Sequence, residues 1–204
     1  RTIERTFDWK AFSALKQLPV IALAGAGFIF FLIIAGFNQI VNPFLESEFQ
    51  ISLSTAGFIT TVWGLGVVAG SFVGGYLISK FGKLRAVYVA LGLSLLSAVG
   101  LAAIMRPGLA WAIVPLFGLS YGTYQTVYFA LSMNYTDKRI AASMFSILMA
   151  ASNIAQGAGM ALSGILVDTI NYRMTFLIIG AFNFLALPLL PIIFRGKGKE
   201  VEAE

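Results

Sequence analysis

The chain contains no histidine and no cysteine, and only 11% of its 204 residues are charged. Without cysteine there is no disulfide, no thiolate nucleophile and none of the commonest zinc sites; without histidine the usual proton shuttle and metal ligand are missing. The scarcity of charge excludes more. A soluble domain carries about 25% charged residues, and a water-facing surface is hard to build from a chain that is 58% apolar with a mean hydropathy of +0.86. The chain is therefore expected to be embedded in a membrane. Its sequence holds no phosphate loop, no paired carboxylate site, no metal cluster and no nucleophile with its base, so neither an enzyme nor a cofactor-binding protein is expected.

What the chain has instead is long apolar runs. A bilayer core needs roughly 20 consecutive apolar residues in helical form. Six such runs are read at about Leu18 to Val41, Ser54 to Ile78, Ala86 to Met105, Leu109 to Met133, Ile140 to Val167 and Met174 to Phe194. Barrel strands alternate over about ten residues, whereas these runs are longer and apolar on all faces, so the spacing predicts an all-α membrane bundle. Asn42-Pro43 is expected to end the first run, Arg106-Pro107-Gly108 the third, and Thr136-Asp137-Lys138-Arg139 to divide the fourth from the fifth. Pro115, Pro188 and Pro191 fall inside runs, which neighbouring helices can tolerate.

The net charge of +5 is unevenly placed. With the N-terminus in the cytoplasm, Arg106 and Arg173 face outside and the other twelve of the fourteen basic residues face inside. That is the positive-inside pattern of a multi-pass protein of the plasma or inner membrane with both termini cytoplasmic. Topology accounts for the charge, and no nucleic-acid partner is expected. Residues 1–17 place Ile3, Phe7, Phe12 and Leu15 among Arg1, Arg5, Lys10 and Lys16, which reads as an amphipathic helix on the cytoplasmic surface. Residues 18–194 form the bundle. Residues 195–204 are Gly, Lys and Glu rich and read as a disordered cytoplasmic tail.

Between the second and third runs stands Gly75-Tyr76-Leu77-Ile78-Ser79-Lys80-Phe81-Gly82-Lys83-Leu84-Arg85. Glycine, a hydrophobic residue, a basic residue, glycine and further bases at this place resemble the signature loop of the major facilitator superfamily. Ser79 stands where that family carries an aspartate, so the resemblance does not extend to the acid of its charge-relay gate. Ile51-Ser52-Leu53-Ser54-Thr55-Ala56-Gly57 also looks like the approach to the family's second helix. An internal echo pairs Gly75 to Ser79 and Arg85 with Gly164-Ile165-Leu166-Val167-Asp168 and Arg173. One copy faces inside and the other outside, as a three-plus-three inverted repeat produces. The resemblance implies half of a twelve-helix transporter fold. The basic leader, which looks like the family's interdomain linker, the degenerate loop and the Lys/Glu tail favour the C-terminal half. Gly75, Ser79, Lys80, Gly82, Lys83 and Arg85 would then form a gating loop.

Small and polar residues carry the rest. Gly66, Gly70 and Gly74 lie at four-residue spacing in the second run, as do Gly118 and Gly122 in the fourth, and each row would let another helix approach closely. Tyr121, Tyr124, Gln125, Tyr128 and Ser132 fall on one face of the fourth run. Ser146, Asn153 and Gln156 form a stripe on the fifth, Asn38, Gln39 and Asn42 lie near the outer end of the first, and Trp63 stands beside Thr60 and Thr61 in the second. The third run is nearly without such groups, and the sixth has only Asn183 near its middle.

In the resembled family the first, second, fourth and fifth helices of a half line the cavity while the third and sixth face lipid. The expected substrate-binding set is thus Asn38, Gln39, Trp63, Tyr121, Tyr124, Gln125, Tyr128, Asn153 and Gln156, with Tyr124, Gln125, Tyr128, Asn153 and Gln156 at its centre. The competing expectation is that these groups only bond neighbouring helices. No charged residue lies mid-helix, so proton coupling would need a carboxylate from elsewhere. Asp137, Lys138 and Arg139 are expected to cap and anchor a cytoplasmic turn, Asp168 and Arg173 to form an analogous outer pair, and Glu46 and Glu48 to be solvated. The function expected is alternating-access transport of a small solute, with membrane lipid and a second six-helix half as partners. The alternatives are a non-transport scaffold, sensor or assembly factor, or a half-size transporter acting as a homodimer.

Overall fold

The computed structural model describes residues 15–135 and 140–195, the last as backbone only. The leader through residue 14, the turn at 136–139 and the tail from residue 196 lie outside the described residues, and with them the amphipathic helix, the Asp137-Lys138-Arg139 anchor and the tail. Among the described residues the regular elements are all helical, with no strand: α1 (Leu18–Phe49), α2 (Leu53–Phe81), α3 (Lys83–Ala102), α4 (Pro107–Tyr135), α5 (Ala141–Thr169), α6 (Tyr172–Ala181), α7 (Asn183–Ala186) and α8 (Leu190–Arg195).

The six apolar runs become helices because lipid offers backbone N–H and C=O groups no partner but their own helix. Their ends follow local chemistry. Ser52 caps α2 by accepting from the Thr55 N–H at 3.3 Å, and Asn171 caps α6 by accepting from the Met174 N–H at 2.9 Å. Gly82 takes a left-handed φ of 79° and turns α2 directly into α3. The connection there is this one residue: Gly75, Ser79 and Lys80 belong to the last turns of α2, and Lys83 and Arg85 to the first turn of α3, so a loop of several residues does not form.

One other expectation changes. The first helix does not stop at Asn42-Pro43 but runs through Pro43 to Phe49. Pro43 and Gln39, the residue whose carbonyl it leaves free, are both exposed, while Phe44 and Leu45 in the following turn are fully buried and hold the continuation in place. The sixth run is one 23-residue span, Tyr172–Phe194, whose helix is locally irregular: it divides into α6, α7 and α8 at Phe182 and at a 3-10 turn over Leu187–Leu189, with right-handed helical dihedrals at both places. Pro188 and Pro191 each remove a backbone donor. At the first break, buried Asn183 donates from Nδ2 to the Gly180 carbonyl at 2.8 Å.

Five spans are long and apolar enough to cross a membrane: α1, α2, α3, α5 and the composite Tyr172–Phe194. At 29 residues α4 has the length, but its tyrosine, threonine and glutamine stripe lowers its hydropathy.

The helices form two layers. In the front layer α2 packs along α4, α4 touches α1, and α1 packs along α5. Behind them α3 lies against α4 and α2, and the α6–α8 segment lies against α3 and α1. Helix α1 is the axis: Phe30, Phe37 and Phe44 recur at seven-residue spacing and are all within 1% of full burial. Phe37 meets the rings of Phe117 and Phe176, each at 5.6 Å between centroids, and Phe44 meets Phe176 at 5.5 Å.

The two glycine rows face each other. A Cβ at Gly70 would overlap the Leu119 backbone and one at Gly66 the Pro115 carbonyl; one at Gly118 would overlap the Trp63 carbonyl and one at Gly122 the Val67 carbonyl. Helices α2 and α4 thus touch backbone to backbone, and Thr123 reinforces the seam by donating from Oγ1 to the Gly70 carbonyl at 3.1 Å. Lipid tails are as apolar as leucine, so this close approach, rather than burial from water, is what holds the pair together.

Candidate substrate cavity

The α4 stripe divides when its surroundings are followed outward. Tyr124 is only 6% exposed, and its ring lies parallel to that of Phe30 on α1, with centroids 3.9 Å apart and planes 3° from coplanar. Tyr128 is 3% exposed; it meets Phe31 edge-on at 5.5 Å, and its hydroxyl lies against Gly27, where a Cβ would overlap it. Ser132 and Ser152 lie within hydrogen-bonding reach of that hydroxyl. The two tyrosines expected at the cavity centre are therefore packed between α4, α1 and α5.

Tyr121 and Gln125 differ. Both are half-buried, and Gln125 hydrogen-bonds the Tyr121 hydroxyl. The Tyr121 ring bridges Trp63 on α2, at 5.6 Å, and Phe30 on α1, at 6.1 Å. Trp63 in turn lies 6.1 Å from Phe117. An aromatic column thus runs Phe117, Trp63, Tyr121, Phe30, Tyr124 across three helices. Phe30 gave no sign of this in the sequence, because a phenylalanine in a helix apolar on every face is indistinguishable from its neighbours.

Beside Trp63, a cleft of about 40 Å³ is lined by Asn38, Asn42, Thr60 and Trp63 together with Val41, Val114 and Phe117. The Thr60 hydroxyl lies 3.1 Å from Asn42 Oδ1 and 3.1 Å from the Ala56 carbonyl. The Trp63 indole N–H is buried with no acceptor among the described residues, a state that costs about 1–3 kcal/mol, and the residue itself lines the cleft beside two amides and a hydroxyl. Asn42 and Thr60 thus join Asn38 and Trp63 in one place, whereas Gln39 is exposed and does not line the cleft. On α5, Gln156 donates from Nε2 to Asn153 Oδ1 at 3.3 Å, with Asn153 exposed and Gln156 half-buried. Helix α5, which carries this pair, packs chiefly on α1.

At the opposite end from the cleft, Ser79 donates to the Gly75 carbonyl of its own helix at 2.9 Å, and Lys80 donates to the Tyr76 hydroxyl at 2.7 Å. The Lys80 ammonium lies 5.3 Å from the centroid of Tyr76 and 5.4 Å from that of Phe81. At the cleft's end, Arg173 pairs with Glu48 at 3.7 Å, donates to the Ala102 carbonyl at 2.7 Å and lies over the Phe44 ring at 5.4 Å. The partner of Arg173 is thus Glu48 rather than Asp168, and Glu48 is not simply solvated. Helix α1 runs past Pro43 and carries the carboxylate to where α6 begins. Among the described residues, no group of three or more acidic side chains could hold a metal ion.

The Major Facilitator Superfamily model matches residues 23–204. The chain belongs to the Major Facilitator Superfamily. Among curated proteins, none matches the chain. Members of this superfamily are membrane transporters, and membership therefore places the chain among integral membrane proteins of transport that act on small solutes.

Proposed function

We propose that the chain is the C-terminal six-helix half of a secondary-active or facilitative transporter, which moves a small solute by alternating access against a second half. The observation that carries this reading is the incomplete front layer. Only 22% of the most apolar stretch of α2 and 22% of that of α5 is buried within the chain, against 67% for α1. Phe58, Leu65, Phe72 and Tyr76 on α2 and Ile147, Ile154 and Ile165 on α5 are exposed. Two flanking helices with large uncovered apolar sides, enclosing a row of accessible amides and aromatic rings, suit one wall of a pathway whose other wall is supplied by a second bundle.

The helix pairing supports an inverted repeat. Exchanging α1, α2 and α3 with α4, α5 and the α6–α8 segment turns the α2–α4 pair into α5–α1, α3–α4 into the contact of α6–α8 with α1, and α2–α3 into α5–α6. All of these pairs are in contact. Rocking about a pseudo-symmetric half is how such folds alternate access. In this reading Trp63, Asn38, Tyr121, Gln125, Asn153 and Gln156 face the solute, and Tyr124 and Tyr128 set the spacing of α4 and α1 behind them. With no charge in mid-helix, the contacts made here are neutral hydrogen bonds and ring faces.

The buried packing of Tyr124 and Tyr128 favours a second reading, a six-helix scaffold whose polar groups only join its own helices. Uptake separates the two. In cells expressing the complete protein, screened with a panel of radiolabelled amphipathic and anionic solutes, Gln125→Leu and Asn153→Leu should abolish the uptake that the unsubstituted protein confers, with membrane expression intact. Unchanged uptake in both variants would remove these residues from the cavity, and no uptake of any solute would favour the scaffold.

A further inference from the structure

A second concavity lies at the other end of the bundle, far from the cleft at Trp63. It has a volume of about 510 Å³ and is lined by Phe81, Gly82, Lys83, Leu84, Arg85, Asn134, Tyr135 and Phe194. The sharp α2-to-α3 turn at Gly82 forms one wall, and the ends of α4 and α8 form the other, joined by the Tyr135 hydroxyl donating to the Ile193 carbonyl.

Its chemistry has two parts. Phe81, Leu84 and Phe194 supply apolar surface, while Lys83, Arg85 and the Asn134 amide supply donors. Among the described residues, every carboxylate, Glu46, Glu48 and Asp168, belongs to the opposite helix ends, and Arg85 has no hydrogen-bond or ion-pair partner. Lys80 next to it is occupied by Tyr76 and Phe81. A guanidinium and an amide at the mouth of an apolar cleft, at the level where a bilayer's headgroups lie, match a ligand with an anionic phosphodiester on a hydrocarbon stem. We propose that this cleft binds one anionic phospholipid of the adjacent leaflet, with Arg85 and Asn134 on the phosphodiester and Phe81, Leu84 and Phe194 along the start of the acyl chains. The leaflet follows from the orientation read above, in which it is the cytoplasmic one. The binding itself does not depend on transport, so the lipid and uptake experiments can fail separately.

The test is native mass spectrometry of the full chain in detergent, titrated with dioleoylphosphatidylglycerol or dioleoylphosphatidylcholine. One phosphatidylglycerol should be retained in preference to phosphatidylcholine. Arg85→Gln should weaken that retention about fivefold, the effect of about one basic residue near a headgroup, and Arg85→Lys should restore most of it. Asn134→Phe, which fills the cleft without changing the net charge, should weaken it as well, and Arg106→Gln at the opposite end should leave it unchanged. Equal retention of both lipids, no effect of Asn134→Phe, or an equal effect of Arg106→Gln would reduce the site to general surface charge and overturn the proposal. Displacement by inorganic phosphate would overturn it in favour of a free anion. Retention only after removal of Glu200, Glu202 and Glu204 would overturn it in favour of the chain's own acidic end.

Discussion

The α2–α4 and α1–α5 pairs occupy corresponding places in the front layer and are held together by different means. Along α2–α4, five glycines set one backbone against the other and the Thr123 hydroxyl bonds across the seam. Along α1–α5 the backbones meet closely at Gly159, against the Leu32 carbonyl, with Gly36 beside it. Elsewhere on α5 a Cβ at Gly157 or Gly164 would meet nothing within 4 Å, so the close approach of α1 and α5 is confined to this one place. In lipid, removing side chains lets helix backbones approach closely. The α2–α4 pair does so along five positions and the α1–α5 pair at one.

The comparison breaks most sharply at Gly122. Gly122→Leu drives a side chain into the Val67 carbonyl and the Ser71 N–H, and four further glycine contacts keep the helices from tilting apart. The expected loss is about 3 kcal/mol, read as a large fall in the thermal midpoint of the purified protein. Gly57→Leu, where a Cβ meets nothing within 4 Å, should move the midpoint by no more than about 0.5 kcal/mol. A smaller effect is expected from Gly159→Leu, since α5 can shift about a single close point: about 1–2 kcal/mol in the same assay. Equal losses at Gly122 and Gly159 would erase the distinction between the seams. Smallest is Thr123→Val, which removes the bond to Gly70 and should cost about 0.5–1 kcal/mol. A neutral result there would assign the seam to backbone contact alone.

Much of the architecture was legible because its causes are local. Glycines every fourth residue announce a close approach whatever the partner. Pro43 misled for a tertiary reason: the buried Phe44 and Leu45 outweigh one lost backbone bond. The sixth run is the continuous span that hydropathy reads, with two prolines and the Asn183 contact with Gly180 marking local irregularities within it. Of the site, the polar stripes were legible as faces, since helical spacing sets which residues share a side. Their neighbours were not. Tyr124 and Tyr128 share their stripe with Tyr121, yet they lie against Phe30 and Gly27 of a helix ninety or more residues earlier in the chain.

By itself the sequence determined that the chain is a bundle of membrane helices, because a bilayer satisfies no backbone group that a helix does not satisfy internally. The places of closest approach were equally its own, because a missing side chain is a local fact. Only the tertiary structure decided that the two glycine rows meet each other, that Arg173 reaches Glu48, and that Trp63 stands beside Asn38, Asn42 and Thr60. The physical reason is that a 3.6-residue period orients a side chain about its own axis and carries no information about which helix stands opposite.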